Sequence, residues 1–197
     1  MAYEYAIALT GSIATGKSTV ASLLLLNCMR VIDADTISHE ILDASTLWVE
    51  DTFGKEFIKL GKVNRAKLGE LVFSDDKAKK TLEEYLHPKI KAEIEKRSEK
   101  QDRLKFPYLI DIPLFFENNN YDIKDSVVVF TPSDVQLKRF MKRNGYSKEE
   151  SLKRIATQFP IEKKRDAATW VIDNSQNLKH LQQECENFVE IIKEKYL

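Results

Sequence analysis

Short apolar runs alternate with longer segments of helical periodicity along the chain. Five of these runs are rich in β-branched or aromatic residues and predict strands at residues 5–10, 30–33, 108–112, 126–131 and 170–173. Most of them are apolar without strict alternation, which is typical of parallel strands covered on both faces. Because helical patterns separate the strands, the sequence predicts an α/β fold of three layers with a five-stranded parallel sheet.

Two helical segments are longer than a crossover between parallel strands requires. Residues 36–104 contain only helical patterns, which predicts an inserted helical subdomain over about 36–105 that shapes the pocket of a second substrate. A basic helical segment over about 133–168 is a candidate lid. The core would then comprise about 1–35, 106–132 and 169–197, and the absence of linker-like composition predicts one folding unit over 1–197.

Charge and composition limit the partners. Lys and Arg together number 31, as do Asp and Glu, so the net charge of zero provides no global field for nucleic acid or an anionic membrane, and any anion site must be local. No apolar stretch approaches the roughly 18 residues of a membrane span, and residues 1–10 suit a first strand better than a signal peptide. Cys28 and Cys185 share no metal-type spacing and are predicted to be buried free thiols. We therefore expect a cytoplasmic protein, and the oligomeric state stays open.

Residues 11–18, "GSIATGKS", fit the phosphate-loop pattern G-x-x-x-x-G-K-[ST] between a predicted strand and a predicted helix. Glycines let such a loop curl so that backbone N–H groups and the helix N-terminus face phosphate oxygens. Lys17 would reach the β- and γ-phosphates, Ser18 would ligate Mg²⁺ and Thr19 would contact the α-phosphate. A glycine turn that caps a helix is the alternative. The predicted nucleotide-binding residues are Gly11, Ser12, Ile13, Ala14, Thr15, Gly16, Lys17, Ser18 and Thr19.

Acidic residues after two predicted strands favour phosphoryl transfer over mere nucleotide binding. The chain contains no N-K-x-D guanine motif and is short for a motor. Asp33 and Asp35 follow the second strand, at the sheet edge where doubly wound folds bind ligands. In an extended chain both would point the same way, one orienting an acceptor hydroxyl and the other holding Mg²⁺ through water; alternatively, Asp35 caps a helix. Asp111 is a candidate magnesium ligand or a turn-forming residue before Pro113.

The basic segment would supply mobile cations. Arg139 and Arg143 lie one turn apart on a helix, and residues 144–145 form a possible hinge before Arg154. A closing lid would exclude water and bring guanidinium groups to the transferring phosphoryl group. The alternative is an ordinary solvated face, because Glu149 and Glu150 are interspersed among the basic residues.

Nearly the whole chain resembles the dephospho-CoA kinase family. The motifs "LTGSIATGKSTVA", "VIDAD", "LHPKI", "IDIPLFFE", "QLKRFMKRNGYSKEESLKRIATQ" and "VIDN" occur in the family's order. The phosphate loop alone fits many kinases, whereas the combination is far more specific. The resemblance implies ATP-dependent phosphorylation of the ribose 3′-hydroxyl of dephospho-CoA, the last step of coenzyme A synthesis, on a phosphate-loop core with a helical CoA subdomain and a lid.

The resemblance also implies roles for residues at matching positions. Asp35 would accept the proton of the 3′-hydroxyl, and Asp33 would contact substrate or metal. Arg139 and Arg143 would act from the lid, and Asn174 would lie near the ATP adenine. The dephospho-CoA site would include Arg65, His87, Pro88, Leu114, Phe115 and Glu117.

Two departures from the family pattern affect what is expected. The family loop is usually "GGIGSGKS", and Ser12 and Ala14 replace two of its glycines. Small side chains fit there unless the backbone requires a positive φ. The family often has an acidic residue just before the last strand, where this chain has Thr169 and Trp170.

Overall fold

The computed structural model describes residues 2–118 and 120–196 and divides the chain into two units. Unit 1 comprises the described residues up to Ile32 and from Ser98 onward, and unit 2 is Asp33–Arg97. None of the helices in the described ranges is both long and apolar enough to span a membrane.

Unit 1 contains the predicted sheet. The strands are β1 (Ala6–Thr10), β2 (Arg30–Asp33), β5 (Tyr108–Asp111), β6 (Asp125–Phe130) and β7 (Trp170–Asp173), in the order β2-β5-β1-β6-β7. β1 pairs in parallel with β5 and β6, and β6 pairs in parallel with β7. Every residue of β1 and of β5 is buried, which explains why these strands are apolar without alternation. The predicted α/β fold with a five-stranded parallel sheet is confirmed.

Helices flank this sheet, and most of them follow β6 in the chain. They are α1 (Lys17–Leu26), α6 (Phe115–Asn118), α7 (Ser133–Asn144), α8 (Lys148–Ile155), α9 (Ile161–Ala167) and α10 (Leu178–Tyr196). Apolar residues of α1 and α10 form one core with those of the strands. Gly145 ends α7 in the left-handed conformation, and Ser147 and Glu150 form a capping box at the start of α8.

Cys28 is exposed, so the prediction that both cysteines are buried is wrong for this one. The helical pattern does not continue through it, because α1 ends at Leu26. Cys28 N–H donates to Leu25 O and Met29 N–H donates to Leu24 O, which is the hydrogen-bond pattern of a Schellman turn. Cys28 occupies the left-handed position of that turn, with φ 63°, and so faces solvent. Cys185, on α10, is buried as predicted.

Unit 2 is helical with one small hairpin. Its elements are α2 (Ala34–Asp43), α3 (Thr46–Phe53), a 3₁₀ turn (Lys55–Phe57), β3 (Ile58–Lys59), β4 (Lys62–Val63), α4 (Arg65–Ser74) and most of α5 (Asp76–Asp102). A second apolar core packs around Val49, Phe57 and Leu68. The expectation that residues 36–104 are purely helical is wrong at the hairpin, where Leu60 and Gly61 both have positive φ. Strands of two residues are too short to show a period in the sequence.

Candidate active site

The phosphate loop lies between the end of β1 and the start of α1, as predicted. Gly16 is the N-cap of α1 in the left-handed conformation, with φ 92°. A Cβ at this position would overlap the side-chain amide of Asn174, so both the backbone and the packing require glycine here. No acidic residue lies in the first turn of α1. The helix N-terminus therefore keeps its positive end available for an anion.

Ala14 adopts the conformation that glycine prefers. Its φ is 61°, in the left-handed region. The family loop usually has glycine at this position, and an alanine side chain there costs on the order of 1 kcal/mol. The substitution is thus accommodated with local strain.

Lys17 pairs directly with Asp111 at the end of β5. The two side chains are 18% and 10% exposed, so the pair is largely shielded from water. Ser18 and Thr19 follow in the first turn of α1 and are exposed. The structure thus brings Lys17 and Asp111, two predicted site residues 94 positions apart, into contact.

The magnesium ligands suggested by the sequence are compatible with the chemistry of that ion. The described residues contain no group of three or more His, Cys, Asp or Glu placed to hold a metal. A Mg²⁺ ion that binds with a nucleotide takes most of its ligands from phosphate and water, and needs only one or two oxygens from the protein. The Ser18 hydroxyl and the Asp111 carboxylate are hard oxygen donors and fit that requirement.

Asp33 and Asp35 do not lie together in an extended segment, contrary to the expectation from the sequence. α2 begins at Ala34, immediately after Asp33, so the two carboxylates are not on one face of an extended chain. Asp33 is the N-cap: its Oδ1 accepts from Asp35 N (2.9 Å) and Thr36 N (3.1 Å), and its Oδ2 accepts from Thr36 Oγ1 (2.9 Å). The alternative that Asp35 caps the helix is therefore also wrong. Asp35 lies exposed in the first turn.

The other candidate residues of unit 2 lie on its helices. Arg65 begins α4 and its Nε is 3.9 Å from a carboxylate oxygen of Asp43. His87 and Pro88 are exposed within α5. A histidine before proline suggests the end of a helix, but His87 lies inside one. Their roles in dephospho-CoA binding stay predictions.

In unit 1, Glu117 forms contacts that its motif did not indicate. Leu114 and Phe115 are half-buried beside it. Glu117 Oε1 lies 2.8 Å from Lys164 Nζ and accepts a hydrogen bond from Phe159 N–H at 3.0 Å. Lys164 is fully buried, and burial lowers its pKa below the usual range although Glu117 opposes this. Glu117 is thus part of the interior of unit 1.

The two arginines of α7 have different surroundings. Arg139 Nη1 donates to Asn174 O at 2.8 Å, which connects α7 to the residue after β7. Arg143, in the last turn of α7, lies over the Phe140 ring at 5.6 Å, and its Nε donates to Asn144 Oδ1 at 3.0 Å. Arg139 is therefore tied to the core of unit 1, whereas the contacts of Arg143 are local to its own helix.

Sequence reasoning missed three residues that contact the phosphate loop. Ile13 N–H donates to Gln158 Oε1 at 3.0 Å, and Ile13 O accepts from Gln136 Nε2 at 2.8 Å. Lys164 Nζ donates to Gly11 O at 2.8 Å. Asn174 donates to Thr15 O at 2.8 Å, and its place near the adenine stays a prediction. Only the segment's predicted role as a lid indicated that residues 133–168 would approach the nucleotide.

Comparison with known proteins identifies the family. A family model described as dephospho-CoA kinase matches residues 5–180. The dephospho-CoA kinase of Sulfurimonas denitrificans is 70% identical over 197 residues, covering 100% of this chain and 98% of the relative. That of Wolinella succinogenes is 43% identical over 195 residues, covering 98% of this chain and 97% of the relative.

A solved structure agrees with these relatives. The dephospho-CoA kinase from Campylobacter jejuni has a TM-score of 0.81 and 35% identity, covering 98% of this chain and 99% of the other. The fold and the order of motifs therefore match one family along the full chain. The chain belongs to the dephospho-CoA kinase family, whose enzymes catalyse the last step of coenzyme A synthesis.

Proposed function

We propose that this chain transfers the γ-phosphoryl group of ATP to the ribose 3′-hydroxyl of dephospho-CoA, giving coenzyme A and ADP. The observation that carries the proposal is the phosphate loop, with Lys17 at the start of α1, in a chain of the dephospho-CoA kinase family. A loop of this kind binds the triphosphate, and the family specifies the acceptor.

Residues 11–19 bind the ATP phosphates in this proposal. The N-terminus of α1 faces the phosphate oxygens, whereas the N–H groups of Ser12 and Ile13 are bonded to Thr15 Oγ1 and Gln158 Oε1. Lys17 exchanges its contact with Asp111 for the β- and γ-phosphates when the nucleotide enters. Its charge then offsets the negative charge of the transferring group.

We assign Mg²⁺ to Ser18 and Asp111. Mg²⁺ neutralises charge on the β- and γ-phosphate oxygens when it is bound with ATP. Ser18 would supply a hydroxyl oxygen and Asp111, at the end of β5, a carboxylate oxygen.

Asp35 is the base that accepts the proton of the acceptor hydroxyl. Its place in the first turn of α2 and its exposure leave the carboxylate accessible to a substrate. Asp33 holds the backbone N–H of Asp35 and so fixes the start of the helix. We infer that Asp33 orients Asp35 and contacts the substrate or the metal beside it.

Recognition of dephospho-CoA involves two groups of residues. The resemblance assigns this role to Arg65, His87 and Pro88, which are exposed. It assigns the same role to Leu114, Phe115 and Glu117, of which Glu117 also pairs with Lys164. We propose that Arg65 and His87 supply cationic and polar contacts and that Leu114 and Phe115 form an apolar wall.

In this proposal the mobile lid is shorter than the predicted segment 133–168. Gln136, Phe140, Ile161 and Lys164 are buried, which argues against movement of the two ends of the segment. We propose that residues 141–157 move and carry Arg143 to the phosphates, while Gln158 and Phe159 stay bonded to Ile13 and Glu117. Arg139 acts from its fixed position beside Asn174.

The cellular setting follows from the substrates. Dephospho-CoA and ATP are small molecules, and the balanced charge gives no general attraction to nucleic acid or an anionic membrane. We therefore propose a cytoplasmic enzyme with ATP and dephospho-CoA as its partners.

The experiment is ADP release with Mg²⁺ and ATP against dephospho-CoA, AMP, other nucleotides and shikimate as acceptors. We expect dephospho-CoA to stimulate release far above the acceptor-free rate, and the others to have little effect. Stimulation by a different acceptor alone would assign the chain to another small-molecule kinase. Release that no acceptor stimulates would favour a nucleotide-binding regulator.

A further inference from the structure

The carbonyl groups of the phosphate loop pose a problem of hydrogen bonding. A loop that turns its N–H groups toward phosphate must turn its carbonyl groups the other way, into the protein. Buried carbonyl oxygens require donors, and the loop has no regular secondary structure to provide them. The donors that the protein supplies thus decide which conformation the loop keeps before a nucleotide binds.

Side chains from outside the loop bind alternate carbonyls. Each donor lies 2.8 Å from its acceptor, for the pairs Lys164 Nζ to Gly11 O, Gln136 Nε2 to Ile13 O, and Asn174 Nδ2 to Thr15 O. The carbonyl of Ser12, between the first two, is satisfied inside the loop by Thr15 N (3.2 Å) and Thr15 Oγ1 (2.9 Å). Three alternate carbonyls of the loop are therefore held from outside, in addition to the bond from Ile13 N–H to Gln158 Oε1.

All three donors are buried. Lys164, Gln136 and Asn174 are 0%, 2% and 8% exposed. A buried lysine is costly because its charge loses hydration, and it persists only with compensating partners. For Lys164 these are Glu117 at 2.8 Å and the carbonyl oxygens of Gly11 and Pro113 at 2.8 and 3.3 Å.

We propose that Gln136, Lys164 and Asn174 form a loop bracket, a set of positioning residues that orders the phosphate loop for ATP. The proposal deepens the function proposed above and depends on it for the identity of the nucleotide. The bracket acts through the carbonyls of the loop and need not contact the phosphates. Because the loop is ordered beforehand, ATP binding does not bear the entropic cost of ordering it.

Removing a donor tests the bracket. We choose Gln136→Met, which keeps the length of a buried neutral side chain and removes its N–H donor. The control is Gln183→Met, on the exposed face of α10, where the side-chain amide donates to Asn187 Oδ1 at 2.9 Å. The readouts are the Kd of ATP without acceptor, the KM of both substrates, and the melting temperature of the free protein.

Lys164 allows its charge and its donor function to be separated. Lys164→Met leaves Glu117 without its buried cation, so it removes both the charge balance and the bond to Gly11. Lys164→Met combined with Glu117→Gln restores the charge balance, and the glutamine oxygen still accepts from Phe159 N–H, but the bond to Gly11 stays absent. A residue that only stabilises the fold would be rescued in ATP binding by the double variant.

We expect the Kd and KM for ATP to rise about tenfold or more in Gln136→Met and in the double variant, at temperatures where both are folded. The KM for dephospho-CoA stays within twofold in Gln136→Met, and Gln183→Met behaves as wild type. The bracket would be overturned if Gln136→Met and the double variant were both folded and both had the wild-type Kd for ATP. It would also be overturned if Gln136→Met lost stability but kept its affinity for ATP. Because binding is measured without acceptor, a wild-type protein that binds ATP but ignores dephospho-CoA would refute the proposed function and not the bracket.

Discussion

Lys17, at the start of α1, and Asp111, at the end of β5, form an ion pair. The lysine that the phosphate-loop pattern assigns to the triphosphate is thus held by the acid assigned to magnesium. In the proposed mechanism, Lys17 exchanges its contact with Asp111 for the β- and γ-phosphates of ATP.

Replacement of Lys17 should strongly weaken nucleotide binding. Lys17→Ala removes the cation of the phosphate site and leaves Asp111 without it, and losing one partner of a buried charged contact costs about 2–5 kcal/mol. We expect the Kd of ATP, measured by calorimetry, to rise by at least about 30-fold. Lys80→Ala is the control, because its side chain is 77% exposed and pairs only loosely with Glu84 at 3.8 Å. Tight ATP binding by Lys17→Ala would contradict the loop assignment.

Replacement of Asp35 should separate chemistry from binding. Asp35→Asn removes the general base, and we expect kcat to fall by about 10²–10⁴-fold while the Kd of ATP changes little. The effect on stability should be only a few tenths of a kcal/mol, because the change removes one charge near the N-terminus of α2.

A matched variant controls for that charge. Asp76→Asn also removes an exposed acid from the first turn of a helix, α5, and should retain wild-type turnover. Steady-state kinetics with dephospho-CoA makes the comparison. Wild-type-like turnover of Asp35→Asn would exclude Asp35 as the base.

The strain at Ala14 predicts a stabilising substitution. Ala14 has φ 61°, where glycine is favoured, so Ala14→Gly relieves strain that exceeds the entropy glycine adds to the unfolded chain. We expect the free energy of unfolding to rise by about 0.5–1 kcal/mol in urea titrations. Ala156→Gly, at a helix end with φ −67°, has no strain to relieve and should destabilise the protein. Destabilisation by both substitutions would show that Ala14 is unstrained.

The two cysteines should differ sharply in reactivity. Cys28 is exposed, whereas burial and the nearby charges of Glu184 and Glu186 raise the pKa of Cys185 to about 11. Alkylation requires an accessible thiolate. Iodoacetamide at pH 8 should therefore label Cys28 in the native protein and Cys185 only after denaturation, as peptide mass spectrometry would show. Equal native labelling of both would contradict the packing of α10.

The sequence was sufficient to predict the elements whose burial or function depends on contiguous residues. The strands were predicted to within about one residue because apolar runs such as β1 are buried on both faces. The phosphate loop was recognised because its backbone, spread over eight consecutive residues, carries the function. The hairpin at Ile58–Lys59 and Lys62–Val63 was missed because two-residue strands show no alternation.

Side-chain roles that depend on tertiary structure could not be predicted from the sequence. Asp33 and Asp35 were expected in an extended segment, but the cap formed by Asp33 starts the helix at once. Gln136 and Lys164 are single polar residues in charged helices, and their contacts to the loop span 123 and 153 positions. No local pattern distinguishes a buried lysine from a solvated one when both occur among charged neighbours.

The position of the new phosphate in the product tests the central claim most directly. Wild-type protein is incubated with Mg²⁺, γ-labelled ATP and dephospho-CoA, and the product is analysed by ³¹P NMR and mass spectrometry. The account predicts one new phosphate monoester, on the ribose 3′-oxygen, with label transferred in proportion to ADP formed. Label found on another oxygen of the acceptor, or only in inorganic phosphate, would contradict it.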